Sequence, residues 1–96
     1  MRLDGARGHE QRGSRFGIVI QANELELSTI IVAPTSTAAR QASFRPAIEV
    51  VGRKTLVLCD QIRALDLVRL GELVGRVEAH EQEAIDEAIA VVLGLT

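Results

Sequence analysis

Arg15, Thr35, Ser36 and Thr37 are the residues whose types and places invite chemistry. Arg15 stands just before a short β-branched run, Ile18 to Ile20, and the three hydroxyl residues follow a second apolar run, Ile30 to Ala33. A guanidinium offers a planar fork that takes two oxygens of a phosphate and stays charged. For the same reason it is a poor proton donor or acceptor near neutrality. A hydroxyl can donate to an oxyanion or accept from another hydroxyl. Together these groups suit the binding and stabilisation of a phosphoryl group. The chain has a single cysteine, no histidine pair at helical spacing, no carboxylate cluster with ligand spacing and no glycine-rich phosphate loop with a lysine. Chemistry on this set would therefore run without metal or organic cofactor. A Ser–His–acid triad is assembled by folding and is not excluded by sequence. On residue types alone, a loop arginine is more often a surface charge. A Thr-Ser-Thr run is more often a turn that satisfies its own backbone.

The two apolar runs that must position these groups read as buried strands by length and composition. The polar stretch between them, Gln21 to Ser28, allows a hairpin and favours an antiparallel pair. The start of the first strand then lies near the end of the second, and Arg15 and Thr35 share one rim. Thr35 to Ser43 reads as a loop containing Arg40. Phe44 to Val51 is extended, with Pro46 demoting its start, and Gly52-Arg53 turns the chain into Lys54 to Asp60. Gln61 to Ala64 either continues that strand or turns out of it. Asp66 to Leu70 suggests one helical turn, and Gly71 to Val77 a further strand. From Ala79 to Leu93, Ile85, Ala88, Ile89 and Val92 form a helical stripe, acids fill the first turns, and Gly94 is a stop signal. Met1 to Ser14 is polar with three glycines and reads as a mobile loop. The expected organisation is one domain over 1–96, with a loop at 1–14, a sheet at 15–78 and a helix at 79–93.

Composition narrows the function classes. No apolar run approaches the roughly 20 residues of a membrane span, and the N-terminus has no signal-peptide pattern. Cys59 lies in an apolar run and reads as a buried structural thiol. These features fit the cytoplasm. The aromatics are Phe16 and Phe44 only, so base stacking cannot be the main grip on a nucleic acid. Net charge is −2, which argues against generic nucleic-acid binding. The charge is nonetheless divided. Residues 1–54 carry eight Lys/Arg against five Asp/Glu, and residues 55–96 carry three against eight. A local cationic surface beside an acidic helix is one reading, and scattered solvated arginines the other.

The strings GHEQRGSRFGIVIQ, STIIVAPTSTAARQASFRP and DQIRALDLVRLG occur in this order over nearly the whole chain. They resemble the MazF/PemK (Kid-like) toxin endoribonucleases of type II toxin–antitoxin systems. The resemblance implies a mainly β fold: a small, barrel-like, strongly curved antiparallel sheet with a C-terminal helix. It implies a homodimer and metal-independent, sequence-specific cleavage of single-stranded RNA by attack of the 2′-hydroxyl. It also implies a cognate antitoxin whose acidic, disordered tail lies in the dimer groove. The family's functional Arg begins the strand after the glycine-rich loop, the place of Arg15, and its functional Thr ends the next strand. Thr35 or, by a shift of one residue, Ser36 takes that place. Phe16 stands where the family normally has Pro. His9, Arg12, Arg40, Gln61 and Arg63 fall where RNA contacts are expected; a solvated loop His and polar groups that satisfy a strand end are the plainer readings of His9, Gln61 and Arg63. The family's usual first strand, of the type RGDVWWVDL, is represented by no more than Arg2, Leu3 and Asp4, which leads one to expect a neighbouring strand with unpaired backbone. A non-catalytic interaction module, like the related gyrase poisons or a chain that only binds antitoxin, is the rival reading.

Overall fold

The computed structural model describes residues 7–11, 15–20, 29–66 and 70–95, with the backbone alone at 7–11, 15 and 70–73. Among the described residues, seven strands form one antiparallel sheet: β1 (Arg7–Gln11), β2 (Arg15–Val19), β3 (Thr29–Ser36), β4 (Ala47–Val50), β5 (Arg53–Val57), β6 (Arg63–Asp66) and β7 (Leu70–Arg76). One helix, α1 (Ala79–Val92), follows. The order across the sheet is β4-β5-β3-β2-β1-β7, with β6 also on β3. This is the curved, mainly β architecture with a C-terminal helix that the sequence leads one to expect.

The strand β3 decides the shape. One edge pairs with β2, Ile18 opposite Ala33. The other edge is shared. Its first half pairs with β6, from Thr29–Asp66 to Val32–Arg63, and its last residues pair with β5, Thr35 with Val57 and Ser36 with Leu56. The Leu58 N–H reaches the Pro34 carbonyl at 2.8 Å. Residues 59–62 then stand across from Ala33 alone, and a 3-10 turn at Cys59–Gln61 absorbs them. A strand that changes partners along one edge must bend, and the bend leaves an open notch where β5 and β6 part.

Apolar residues cover both faces of β2, which is why its run is nearly continuous rather than alternating. Ile18 and Ile20 join Ala33, Ile48, Val57, Cys59 and the helix residues Ile85, Ala88 and Ile89 in the main core. Val19, Val32 and Leu65 form a smaller cluster. Each fully buried Ile contributes about 1.5–3 kcal/mol. The helix is docked by Glu81, a buried acid. One carboxylate oxygen accepts the Glu78 N–H at 2.9 Å and the other accepts the Glu49 N–H of β4 at 2.9 Å. One side chain thus caps the helix start and satisfies a strand amide. At the other end Gly94 takes φ 70, and the Leu95 N–H returns to the Ala90 carbonyl at 2.7 Å, closing the helix as expected.

Two expectations are corrected. Arg7–Gln11, read as loop, is a strand paired with β2 on one side and β7 on the other. Its polar, glycine-containing sequence has little strand propensity, and backbone pairing from both neighbours overrides that. The strand β1 lies between β2 and β7, while β4, β6 and β7 each pair with one neighbour among the described residues. Asp66 to Leu70 is not a helical turn at its ends: Asp66 closes β6 and Leu70 opens β7. Residues 12–14, the rest of the expected 15–78 sheet at 21–28 and 67–69, and Arg2, Leu3 and Asp4 lie outside the described residues.

Candidate functional site

An open cleft of about 730 Å³ occupies the notch beside the end of β3. Thr35, Ser36 and Thr37 come from β3 and the bend after it. Leu58 and Gln61 come from the 3-10 turn region, and Arg63 opens β6. The β4–β5 hairpin supplies Val50, Val51, Arg53 and Thr55, and Phe16 and Pro34 complete the apolar part. The volume suits a nucleotide-sized group. Two guanidinium groups and no carboxylate line the cleft among the described residues, although the chain as a whole carries −2. Neither Arg53 nor Arg63 has a carboxylate partner among the described residues.

The two hydroxyls at the centre are held in complementary ways. Thr35 Oγ1 donates to the Phe16 carbonyl at 2.9 Å, tying the end of β3 to the start of β2. With its proton used inward, its free lone pairs can accept from an incoming hydroxyl. Ser36 Oγ accepts the Ala38 N–H at 3.1 Å, the local turn expected of such a run. Its own proton is left to donate, which suits a phosphate oxygen.

Arg45 and Asp60 brace the cleft from outside. Arg45 gives Nε to Oδ1 at 3.1 Å and Nη2 to Oδ2 at 2.9 Å, a bidentate pair. Its Nη1 reaches the Arg40 carbonyl at 3.0 Å, and its guanidinium lies over the Phe44 ring, 5.6 Å from the centroid. The hydrogen bond to Arg45 holds the Asp60 carboxyl below its ordinary range and raises the Arg45 pKa. The pair ties the loop after β3 to the residue before Gln61, so Asp60 presents no free negative charge to the cleft. Cys59, next to it, is fully buried, and desolvation with help from Asp60 pushes its thiol up to about 12. It is the structural thiol expected, with no thiolate near neutrality.

Of the residues the sequence singles out, the structure brings Thr35, Ser36, Gln61 and Arg63 into one cleft. Arg40 is exposed and does not line it. Its carbonyl, not its side chain, serves the loop. Arg15 opens β2 one residue before the carbonyl that Thr35 holds, and the β2–β3 register carried further sets it opposite Ser36. The side chains of Arg15 and His9, and all of Arg12, lie outside the described residues. Sequence reasoning missed Arg53 and Thr55 as cleft residues. The signal for Arg53 was the short connection at Gly52-Arg53, which places the residue that follows the turn at a hairpin mouth. No group of three or more metal-ligating side chains occurs among the described residues. Among these residues no helix is long and apolar enough to cross a membrane.

A family model described as PemK-like, MazF-like toxin of type II toxin–antitoxin system matches residues 1–93. The chain is 43% identical over 93 residues to a Mycobacterium tuberculosis protein named as a candidate toxin, covering 96% of this chain and 88% of that one. The fold is similar to that of the Mycobacterium tuberculosis toxin MazF-mt6, with a TM-score of 0.81 at 20% identity over 96% of this chain and 98% of the other. It is equally similar to a mycobacterial endoribonuclease solved with its cognate antitoxin, with a TM-score of 0.81 at 21% identity over 100% and 98%.

Proposed function

The chain belongs to the PemK-like, MazF-like toxin family of type II toxin–antitoxin systems, and from that premise we propose that it is an endoribonuclease acting on single-stranded RNA. The observation that carries this reading is the cleft: hydroxyls, an amide and two guanidiniums, with no carboxylate lining it or pairing with them among the described residues. Such a lining attracts a polyanion even on a chain of net negative charge.

RNA brings its own nucleophile, the 2′-hydroxyl. The protein must align that oxygen with phosphorus, stabilise the charge that builds on the phosphorane, and manage two protons. Arg15 holds two non-bridging oxygens. Ser36 donates to the same phosphate, and Thr35 accepts from the 2′-hydroxyl and orients it. The 2′-oxygen–phosphorus bond forms and the phosphorus–5′-oxygen bond breaks. The 2′-hydroxyl proton passes to water and the departing 5′-oxygen takes one from water, so the products are a 2′,3′-cyclic phosphate and a 5′-hydroxyl. Gln61 and Arg63 hold flanking nucleotides, and His9, Arg12 and Arg40 contact the strand as it approaches. No metal or organic cofactor takes part. The active species is a homodimer in the cytoplasm, and an antitoxin with an acidic, disordered tail competes with RNA for the groove.

The test is cleavage of single-stranded RNA in excess EDTA, comparing the wild type with Arg15→Ala. Wild-type cleavage should persist, and Arg15→Ala should lose on the order of 100-fold to 1,000-fold in rate. Arg15→Lys keeps the charge but not the fork, and should lose most of the activity. Activity lost to EDTA and restored by magnesium would overturn the mechanism. An Arg15→Ala enzyme that cuts at the wild-type rate would misplace the site, and RNA left uncut by the wild type would favour the non-catalytic module.

A further inference from the structure

The β4–β5 hairpin tip is built in a way that packing alone does not require. Val50 pairs with Arg53, so the turn has only two central residues, Val51 and Gly52. Both take positive φ, 50 and 76, the tight geometry that suits the twist of paired strands. Gly52 adopts it freely. Val51 is β-branched, for which this conformation is a genuine outlier, and its side chain is 70% exposed, so no core contact rewards it. Outliers that burial does not explain cluster at binding sites. The consequence of this turn is the place of Arg53. It opens β5 at the mouth of the cleft, exposed, and without a carboxylate partner among the described residues. Lys54, the next residue, is also exposed but does not line the cleft.

We propose that Arg53 is a substrate-positioning contact that holds a second phosphate of the bound single strand, on the wall of the cleft opposite the β6 side. This rests on the endoribonuclease reading and extends it. Arg63 comes from β6 and Arg53 from β5, and these strands part on either side of the bend in β3. A strand lying across the hydroxyls of Thr35 and Ser36 then has a guanidinium ahead of the reacting phosphate and another behind it. Two such contacts fix the direction and register of the strand, which is what selecting one bond among many requires. Phosphate contacts of this kind position rather than read sequence.

Binding to a pool of fully 2′-O-methylated oligoribonucleotides tests this, because those strands have no free 2′-hydroxyl to attack with. Affinity is followed by fluorescence anisotropy over a range of salt. Arg53→Gln should weaken binding about tenfold, and the slope of log affinity against log salt should shrink by about 0.7, the share of one phosphate contact on a single strand. Lys54→Gln removes the same charge one residue away and should leave the slope unchanged. The proposal is overturned if Arg53→Gln keeps the wild-type slope, if Lys54→Gln matches it, or if the wild type does not bind the pool. Cleavage of unmodified RNA in EDTA is scored separately. A wild type that binds with this Arg53 dependence but does not cut would defeat the nuclease reading and leave the phosphate contact standing.

Discussion

Thr35 and Ser36 are adjacent hydroxyls with opposite hydrogen-bond duties, and this separates what substitution should do to each. Thr35→Val keeps the shape but removes the donor to the Phe16 carbonyl, so it should cost about 1 kcal/mol of stability as well as activity. Ser36→Ala loses only an acceptor for an exposed amide, so its melting temperature should hardly move while its cleavage rate falls. Chemical denaturation beside single-turnover cleavage checks both, and equal destabilisation by the two would contradict the assignment. Cys59 makes a different prediction. Its folded pKa lies near 12 against an ordinary value of 9.0, so the unfolded chain loses this proton first as pH rises. The stability it secures is complete below about pH 9 and is lost as pH climbs toward 12, with a slope of at most about 1.4 kcal/mol per pH unit. Cys59→Ala should flatten that alkaline limb in denaturation curves. At this scale the sequence was informative where a polar residue followed an apolar run, as at Thr35 and Ser36, while Arg63 was singled out by the family resemblance alone. It was silent on Thr55, a buried hydroxyl inside a strand whose exposure to the cleft depends on how β5 leaves β3.

The elements differ in how legible they were for a physical reason. The hairpin of β2 and β3 and the helix carry their own signals, short apolar runs in one case and a 3.6-residue stripe in the other, and both were readable. The strand β1 has no such signal, because its place is set by the edges of β2 and β7 rather than by its own side chains. The change of partner along β3 was equally hidden, since it is a property of three strands at once. Two predictions belong here. Val51→Asn creates the Asn-Gly pair that a two-residue turn prefers, and Val51, mostly exposed, gives up little buried surface. It should stabilise the protein by about 1 kcal/mol, raising the melting temperature by roughly 4–8 °C. Glu81→Ala should do the reverse. It strands the Glu78 and Glu49 amides that one carboxylate now satisfies, costing about 1–3 kcal/mol, and amide exchange should rise at both ends of that bridge. Faster exchange at the helix start with none at Glu49 would mean that the helix cap matters and the link to β4 does not.

Over the whole molecule the charge division seen in the sequence acquires a geometry. The acids of α1 lie on the helix, while the cleft is lined by Arg53 and Arg63 and by no carboxylate among the described residues. Such a small chain has a thin stability margin, and it leaves apolar side chains uncovered in and just after the last turn of the helix. Val91 is 54% exposed, Leu93 49% and Leu95 61%. Surfaces of this kind are usually covered by a partner, and a two-fold pair is the commonest way to cover them. If the proposed homodimer uses this end of the helix, light scattering on the wild type should give about twice the chain mass of 10.4 kDa across the micromolar range. Its melting temperature should rise with concentration, as expected when assembly stabilises the folded state. The double substitution Val91→Lys with Leu95→Lys touches neither the buried helix face of Ile85, Ala88 and Ile89 nor the cleft. It should yield a folded monomer whose lower melting temperature no longer depends on concentration. A double variant that remains dimeric would move the two-fold contact to another face, and a wild type that stays at the mass of one chain would remove the dimer from the proposed mechanism.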